Sequence, residues 1–185
     1  MMTEKPDAEA PGRPIRVAIL TASTRAAAGI YEDRSGPALQ QLVTQALGAI
    51  VVDTTVLADD RGKIAGQLRR WADGGGVDLV LTTGGTGFAP SDVTPEATRD
   101  VIEKEAPGLA EVMRAGALQT TPHAMLSRAV AGIRERTLII NLPGSPKGAT
   151  ENLQTVMPAL PHAVALLREE PTSEAGHHFH PSPAH

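Results

Sequence analysis

The chain has 185 residues, the length of one domain with tails, and 41% hydrophobic residues are enough for a real core. Only 2% are aromatic, so that core must be built from Leu, Ile, Val and Ala. A formal charge of −4 leaves no basic footprint for nucleic acid, and the lack of cysteine excludes disulfides and thiolate metal sites.

Residues 1–14 are rich in Pro, Ala and Glu and have no apolar h-region, so they read as a disordered tail and not as a signal peptide. Residues 15–168 read as one domain. Arg16–Ala22 is a short apolar run suited to a buried strand. A polar loop, Ser23–Gly36, follows, and Pro37 falls in the first turn of a helix with Leu39, Leu42, Val43, Ala46 and Leu47 at helical spacing. Ile50–Val56 predicts a second strand, and Ile64, Leu68 and Trp71 mark a second helix. Asp78–Thr82 is a third strand that runs straight into Gly84-Gly85-Thr86-Gly87.

Thr94-Pro95-Glu96 reads as a helix start, with a capping hydroxyl, Pro at the first position and an acid favoured by the dipole. That helix is expected to reach about Glu105, and a short one to cover Leu109–Leu118. Ala129–Ile133 and Thr137–Asn141 predict two strands around the polar turn Arg134-Glu135-Arg136. A last helix carries Leu153, Val156, Met157, Leu160, Val164 and Leu167, and Pro158 and Pro161 should kink or divide it. Residues 169–185, rich in Pro, Ser and His, read as a second disordered tail, with no anchoring fold around His177, His178 and His180. No run is long and apolar enough to span a bilayer, so the sequence reads as soluble and cytoplasmic, with neither nucleic acid nor membrane as a partner.

Alternating strands and helices imply a three-layer α/β fold, with a mostly parallel central sheet and helices on both faces. Ligands of such sheets bind beyond the carboxyl ends of strands, which directs attention to Ser23–Gly36, Thr83–Thr94 and Leu142–Lys147. In Thr82-Thr83-Gly84-Gly85-Thr86-Gly87, glycines let backbone amides approach an anion and threonines add donors. The run is neither a Walker A loop nor a dinucleotide fingerprint, and alone it is equally a tight turn. Asp92 beside an anion loop makes sense where Mg²⁺ bridges it to phosphate, or else as an Asx turn ahead of the helix. Asp59 and Asp60 follow the second strand at the same sheet edge. Either caps the next helix, or one supplies a second carboxylate. Ser145 and Pro146 suit a helix N-terminus, an anion site to which Lys147 adds charge, or a plain strand-to-helix turn. His123 and His162 lack acidic or Cys partners at recognisable spacing and read as structural or surface residues.

Together, Gly29–Gly36 (GIYEDRSG), Leu57–Asp60 (LADD), Thr82–Gly87 (TTGGTG), Asp92–Thr98 (DVTPEAT), Leu126–Arg128 (LSR) and Asn141–Gly148 (NLPGSPKG) resemble the molybdopterin-binding MogA/MoaB family, which includes the gephyrin G domain. The resemblance covers roughly Arg16 to Leu167. It implies a homotrimer in molybdenum cofactor biosynthesis, with molybdopterin as substrate, ATP as co-substrate and Mg²⁺ as cofactor. The implied reaction is adenylylation of the pterin phosphate with release of pyrophosphate, and a molybdenum-insertion protein is the implied further partner. By position, Asp92 and Asp59 match the catalytic and metal-binding aspartates. Thr83, Gly84, Gly85, Thr86 and Gly87 match the phosphate loop, and Ser23, Ser127, Gly144, Ser145 and Lys147 match positions lining the ligand site. Thr24 stands where the family commonly has Asp, Ala58 where it often has Pro, and Ser91 where many members have Arg. A non-catalytic molybdopterin-carrying trimer of the MoaB type, and a nucleotide-acting relative of the competence-damage type, are the competing readings. Retention of Asp59 and Asp92 favours the transferase.

Overall fold

The computed structural model describes residues 13–170; His177, His178 and His180 lie outside them. Strand β1, Arg16–Ala22, is buried on both sides: Val17 and Ile19 enter one core cluster, and Ala18 and Leu20 enter another. That period of two is how one apolar run serves two layers. The other strands are β2 (Ile50–Leu57), β3 (Leu79–Thr83), β4 (Lys104–Glu105), β5 (Ala131–Arg134) and β6 (Thr137–Leu142), in the order β2-β1-β3-β6-β5-β4. Four of them, β2, β1, β3 and β6, are parallel, whereas β5 and β4 add to that edge antiparallel. The sheet is therefore mostly parallel, as expected, and mixed at one side.

The helices are α1 (Thr24–Ala27), α2 (Ser35–Leu47), α3 (Arg61–Asp73), α4 (Thr94–Arg99), α5 (Pro107–Leu118), α6 (Pro146–Val156) and α7 (Leu160–Leu167). One face of the sheet is covered by Leu39 and Val43 of α2, Met113 of α5, Leu153 of α6, and Leu160 and Val164 of α7. The other is covered by Ile64, Leu68 and Trp71 of α3 and by Ala97 of α4. Each fully buried Leu or Ile of these layers contributes about 1.5–3 kcal/mol through apolar transfer. Among the described residues no helix is long and apolar enough to cross a membrane.

The helix begun at Thr94 ends at Arg99, not near Glu105. Sheet pairing ends it: Glu103 N donates to Ile133 O, Ala106 N donates to Ala131 O, and Lys104–Glu105 pairs with Gly132 and Ile133. A side chain on Gly132 would meet Ile102 Cδ1 at 2.6 Å, so the approach requires glycine there. Nor does the Thr94 hydroxyl cap α4, because Thr94 is itself the first helical residue. The last predicted helix is divided as expected: Met157–Ala159 forms a 3₁₀ turn between α6 and α7.

From β1 the chain moves outward through α2 to β2, then returns through α3 to β3 on the other side of β1. The loops after β1 and β3 thus leave toward opposite faces, and their divergence opens a crevice at the carboxyl edge of the sheet.

Candidate functional site

Three loops meet in that crevice. The Thr83 hydroxyl donates to Pro143 O at 2.6 Å, Gly84 N donates to Leu142 O at 3.2 Å, and the Ser35 hydroxyl donates to Gly144 O at 2.7 Å. The backbones then touch. A Cβ on Gly144 would lie 3.2 Å from Gly84 Cα, and one on Gly84, at φ +94°, would strike the Ala22 carbonyl. Only glycine permits both the left-handed backbone and the contact.

The two aspartates stand against this loop. A Cβ on Gly85 would come 2.5 Å from Thr94 Oγ1 and 3.3 Å from Asp59 Oδ1, and one on Gly87 would come 2.9 Å from Asp92 Oδ2. The amides of Gly85, Thr86 and Gly87 donate to no acceptor among the described residues. A run of free amides is a cradle for an anion.

Asp59 and Asp60 divide their tasks. Asp60 caps α3 by accepting from Lys63 N at 2.9 Å. Asp59 Oδ2 accepts from Thr24 N at 2.8 Å and from the Thr24 hydroxyl at 2.7 Å, which leaves Oδ1 at Gly85. Asp92 Oδ2 accepts at 2.9 Å from Ala89 N, three residues back, whereas Thr94 N donates to Gly85 O, so the expected Asx turn ahead of α4 does not form, and Oδ1 remains uncommitted. Among the described residues no three His, Cys, Asp or Glu side chains cluster closely enough to hold a metal ion by themselves. One free oxygen on each of two aspartates fits a Mg²⁺ ion that completes its shell with phosphate oxygens and water.

The remaining expected residues are placed unevenly. Ser145 caps α6 through Gly148 N at 3.1 Å with Pro146 in the first turn, so the helix starts at the crevice. The Lys147 side chain is 75% exposed and 3.8 Å from Glu151, free to swing toward an anion. Ser23 caps the short α1 by accepting from Ala26 N at 3.2 Å. Ser127 is not brought onto the glycine loop by its hydroxyl, which accepts from Ala129 N at 3.4 Å. It lines a separate cavity of about 390 Å³ with Arg99, Arg114 and Arg128.

Sequence reasoning quoted Asp33, Thr94 and Arg128 within its motifs but gave none of them a role in the site. Asp33 Oδ1 accepts from Ser35 N and Gly36 N, both at 3.0 Å, and Oδ2 from the Thr21 hydroxyl at 2.7 Å. Asp-x-Ser-Gly ahead of an apolar-periodic run is an N-capping signal and would have revealed it. The Thr94 hydroxyl is fully buried without a partner, a fact no sequence pattern carries.

A cavity of about 780 Å³ lies at the opposite end of the sheet, around Asp78, Arg134 and Arg168. It is the poorer candidate, because its charges neutralise one another: Arg168 pairs with Asp78 at 2.6 Å and Arg134 with Asp73 at 2.6 Å. Burial pushes the Asp78 carboxyl up, but the Arg168 guanidinium and the Arg16 amide outweigh it and hold Asp78 below the usual range.

Residues 18–162 match the family described as "Probable molybdopterin binding domain". The chain belongs to this family. The matched span runs from β1 into α7 and takes in all three crevice loops. A Helicobacter pylori (strain J99) protein named molybdopterin adenylyltransferase is 46% identical over 154 residues, covering 83% of this chain and 88% of that one. The Escherichia coli K12 protein of the same name is 42% identical over 146 residues, covering 78% and 75%. Among solved structures, the molybdopterin biosynthesis enzyme MoaB of Thermus thermophilus superposes with a TM-score of 0.80 at 49% identity, covering 85% of this chain and 98% of that one.

Proposed function

We propose that the protein is a cytoplasmic molybdopterin adenylyltransferase of molybdenum cofactor biosynthesis. The observation that carries this reading is the pair Asp59 and Asp92, each with one uncommitted oxygen, against a glycine loop with three unspent amides. In the reaction, an oxygen of the molybdopterin phosphate attacks the α-phosphorus of ATP. The new P–O bond forms as the bond to pyrophosphate breaks, and pyrophosphate leaves with that electron pair. The attacking phosphate is already ionised, so no general base is needed, in keeping with a crevice of glycines, hydroxyls and carboxylates. Two polyanions must meet there, and their repulsion is the main barrier that the site must lower.

The amides of Gly85, Thr86 and Gly87, with the α6 N-terminus at Ser145 and Lys147, hold phosphate groups. Asp59 and Asp92 hold Mg²⁺, which when bound neutralises phosphate charge. The Thr24 hydroxyl keeps Asp59 in one orientation without adding a second negative charge beside it. The adenylylated product passes to a molybdenum-insertion protein, and the acting assembly is a homotrimer.

The test is molybdopterin-dependent pyrophosphate release from Mg·ATP, with adenylylated pterin identified by mass spectrometry. Asp92→Ala should lose this product while its circular dichroism and melting stay near those of the parent. Adenylylation retained in that variant would remove the mechanism, and tight pterin binding without product in the parent would make the protein a carrier. Light scattering should return three times the chain mass, and a monomer would overturn the assembly.

A further inference from the structure

Arg128 makes a set of contacts that the reading above does not use. Its backbone N donates to Thr86 O at 2.9 Å. Its Nε donates to Gly87 O at 2.7 Å and its Nη2 to Asp92 O at 2.7 Å, while Nη1 bonds Glu96 Oε1. One residue therefore grips the Thr86–Asp92 loop at three carbonyls and ties it to the first turn of α4.

Every guanidinium nitrogen is committed to a protein acceptor. This separates Arg128 from an arginine that waits for a substrate phosphate, which would present its fork to the crevice. The fork spans two carbonyls five residues apart, Gly87 and Asp92, across the Ala89–Asp92 turn that orients the Asp92 side chain. The Glu96 carboxylate holds the fork in turn. Burial pushes Glu96 up, but the bond from Arg128 outweighs it and keeps the carboxyl below its usual range, so the pair is charged at neutral pH. Arg99 is the other cation acting on Glu96.

We propose that Arg128, buttressed by Glu96, is the positioning residue that sets the conformation of the loop bearing Gly87 and Asp92. The role in turnover rests on the transferase reading; the role in ordering the loop does not. Lysine keeps the charge but is a point donor, and cannot bridge Gly87 O, Asp92 O and Glu96 together. Arg128 is one-third exposed, and its contacts are to loop carbonyls and not to the apolar core, so its loss should loosen the loop more than the fold.

The experiment compares the full chain with its Arg128→Ala, Arg128→Lys and Glu96→Gln variants by hydrogen–deuterium exchange and by kinetics per folded molecule. In Arg128→Ala, the hydrogen-bonded amides of Ala89 and Asp92 should exchange at least tenfold faster while β3 and β6 stay as protected as in the parent. The kcat should fall by about 10–100-fold with melting little changed, and Lys and Gln should fall between Ala and the parent. Unchanged exchange at Ala89 and Asp92 overturns the proposal, and if the KM for a phosphate-bearing substrate then rises, Arg128 is a direct ligand. Acceleration across the whole molecule also overturns it, in favour of a general stabilising role. Absence of product from the parent would remove the transferase reading alone, and the exchange result would still decide the role of Arg128.

Discussion

Thr94 shows what single residues of the crevice cost. Its hydroxyl is buried without a partner beside Gly85, while its carbonyl accepts from the Thr98 hydroxyl at 2.9 Å. An uncompensated buried hydroxyl destabilises by about 1–3 kcal/mol, so removing it should help. Thr94→Val is therefore expected to stabilise by about 1 kcal/mol, which for a domain of this size raises the melting temperature by roughly 2–4 °C. A calorimetric scan that shows a lower melting temperature would mean that the hydroxyl finds a partner in solution. At the same scale, Asp59 and Asp60 look alike in sequence, and capping was a fair expectation for either. Only the position of Lys63 N under Asp60, and of Thr24 beside Asp59, separates the helix cap from the candidate catalytic carboxylate.

The elements that carry the crevice are joined by a buried polar link that no motif announced. Asn141 of β6 donates to the Thr82 hydroxyl of β3 at 2.9 Å and to the Thr98 hydroxyl of α4 at 2.8 Å, and its Oδ1 accepts from Val130 N at 3.2 Å. All three side chains are fully buried. The link fixes α4, and thus the far end of the Gly84–Val93 loop, against two central strands. Asn141→Ala would leave the Thr82 hydroxyl and the Val130 amide unpaired around a small cavity and take one of its two bonds from the Thr98 hydroxyl, an expected loss of about 3–4 kcal/mol. Urea denaturation should show the midpoint falling without a change in slope, and a loss under 1 kcal/mol would mean that water replaces the amide. The shortened α4 belongs to this scale too. Its sequence allows a longer helix, but its downstream residues gain more as an edge strand on β5.

For the molecule as a whole, the first and last described residues are clamped together at the pole opposite the crevice. Asp78, at the start of β3, accepts from Arg168 just after α7 through Nε at 2.9 Å and Nη2 at 2.6 Å, and from Arg16 N at 2.7 Å. Arg168 also donates to Arg13 O and Pro14 O. Breaking such a largely buried pair by Asp78→Asn should cost about 2–3 kcal/mol, somewhat below the range for deeply buried pairs. The Asp78 carboxyl is held low in the folded state. Its stabilisation is therefore fully present above the ordinary aspartate value of about 3.9, and is lost as pH falls through the depressed folded value. Melting curves from pH 7 to pH 2 should show this loss in the parent and a shallower acid slope in Asp78→Asn. Equal slopes would remove Asp78 from the acid transition.

The sequence by itself determined the alternation of strands and helices, the buried double-faced β1, the division of the last helix at its prolines, and the three loops of the crevice. These follow from local rules: the period of apolar residues, proline chemistry, and the placement of glycines and caps. It also carried Asp59, Asp92 and the Gly84–Gly87 loop to the same sheet edge, since parallel strands put their carboxyl ends together. Only the tertiary structure decided the antiparallel edge, the early end of α4, the unpaired Thr94 hydroxyl, the Asn141 link and the grip of Arg128. Each of these depends on residues from different elements, up to 59 positions apart in the Asn141–Thr82 pair, and its energy exists only once the strands have brought them together.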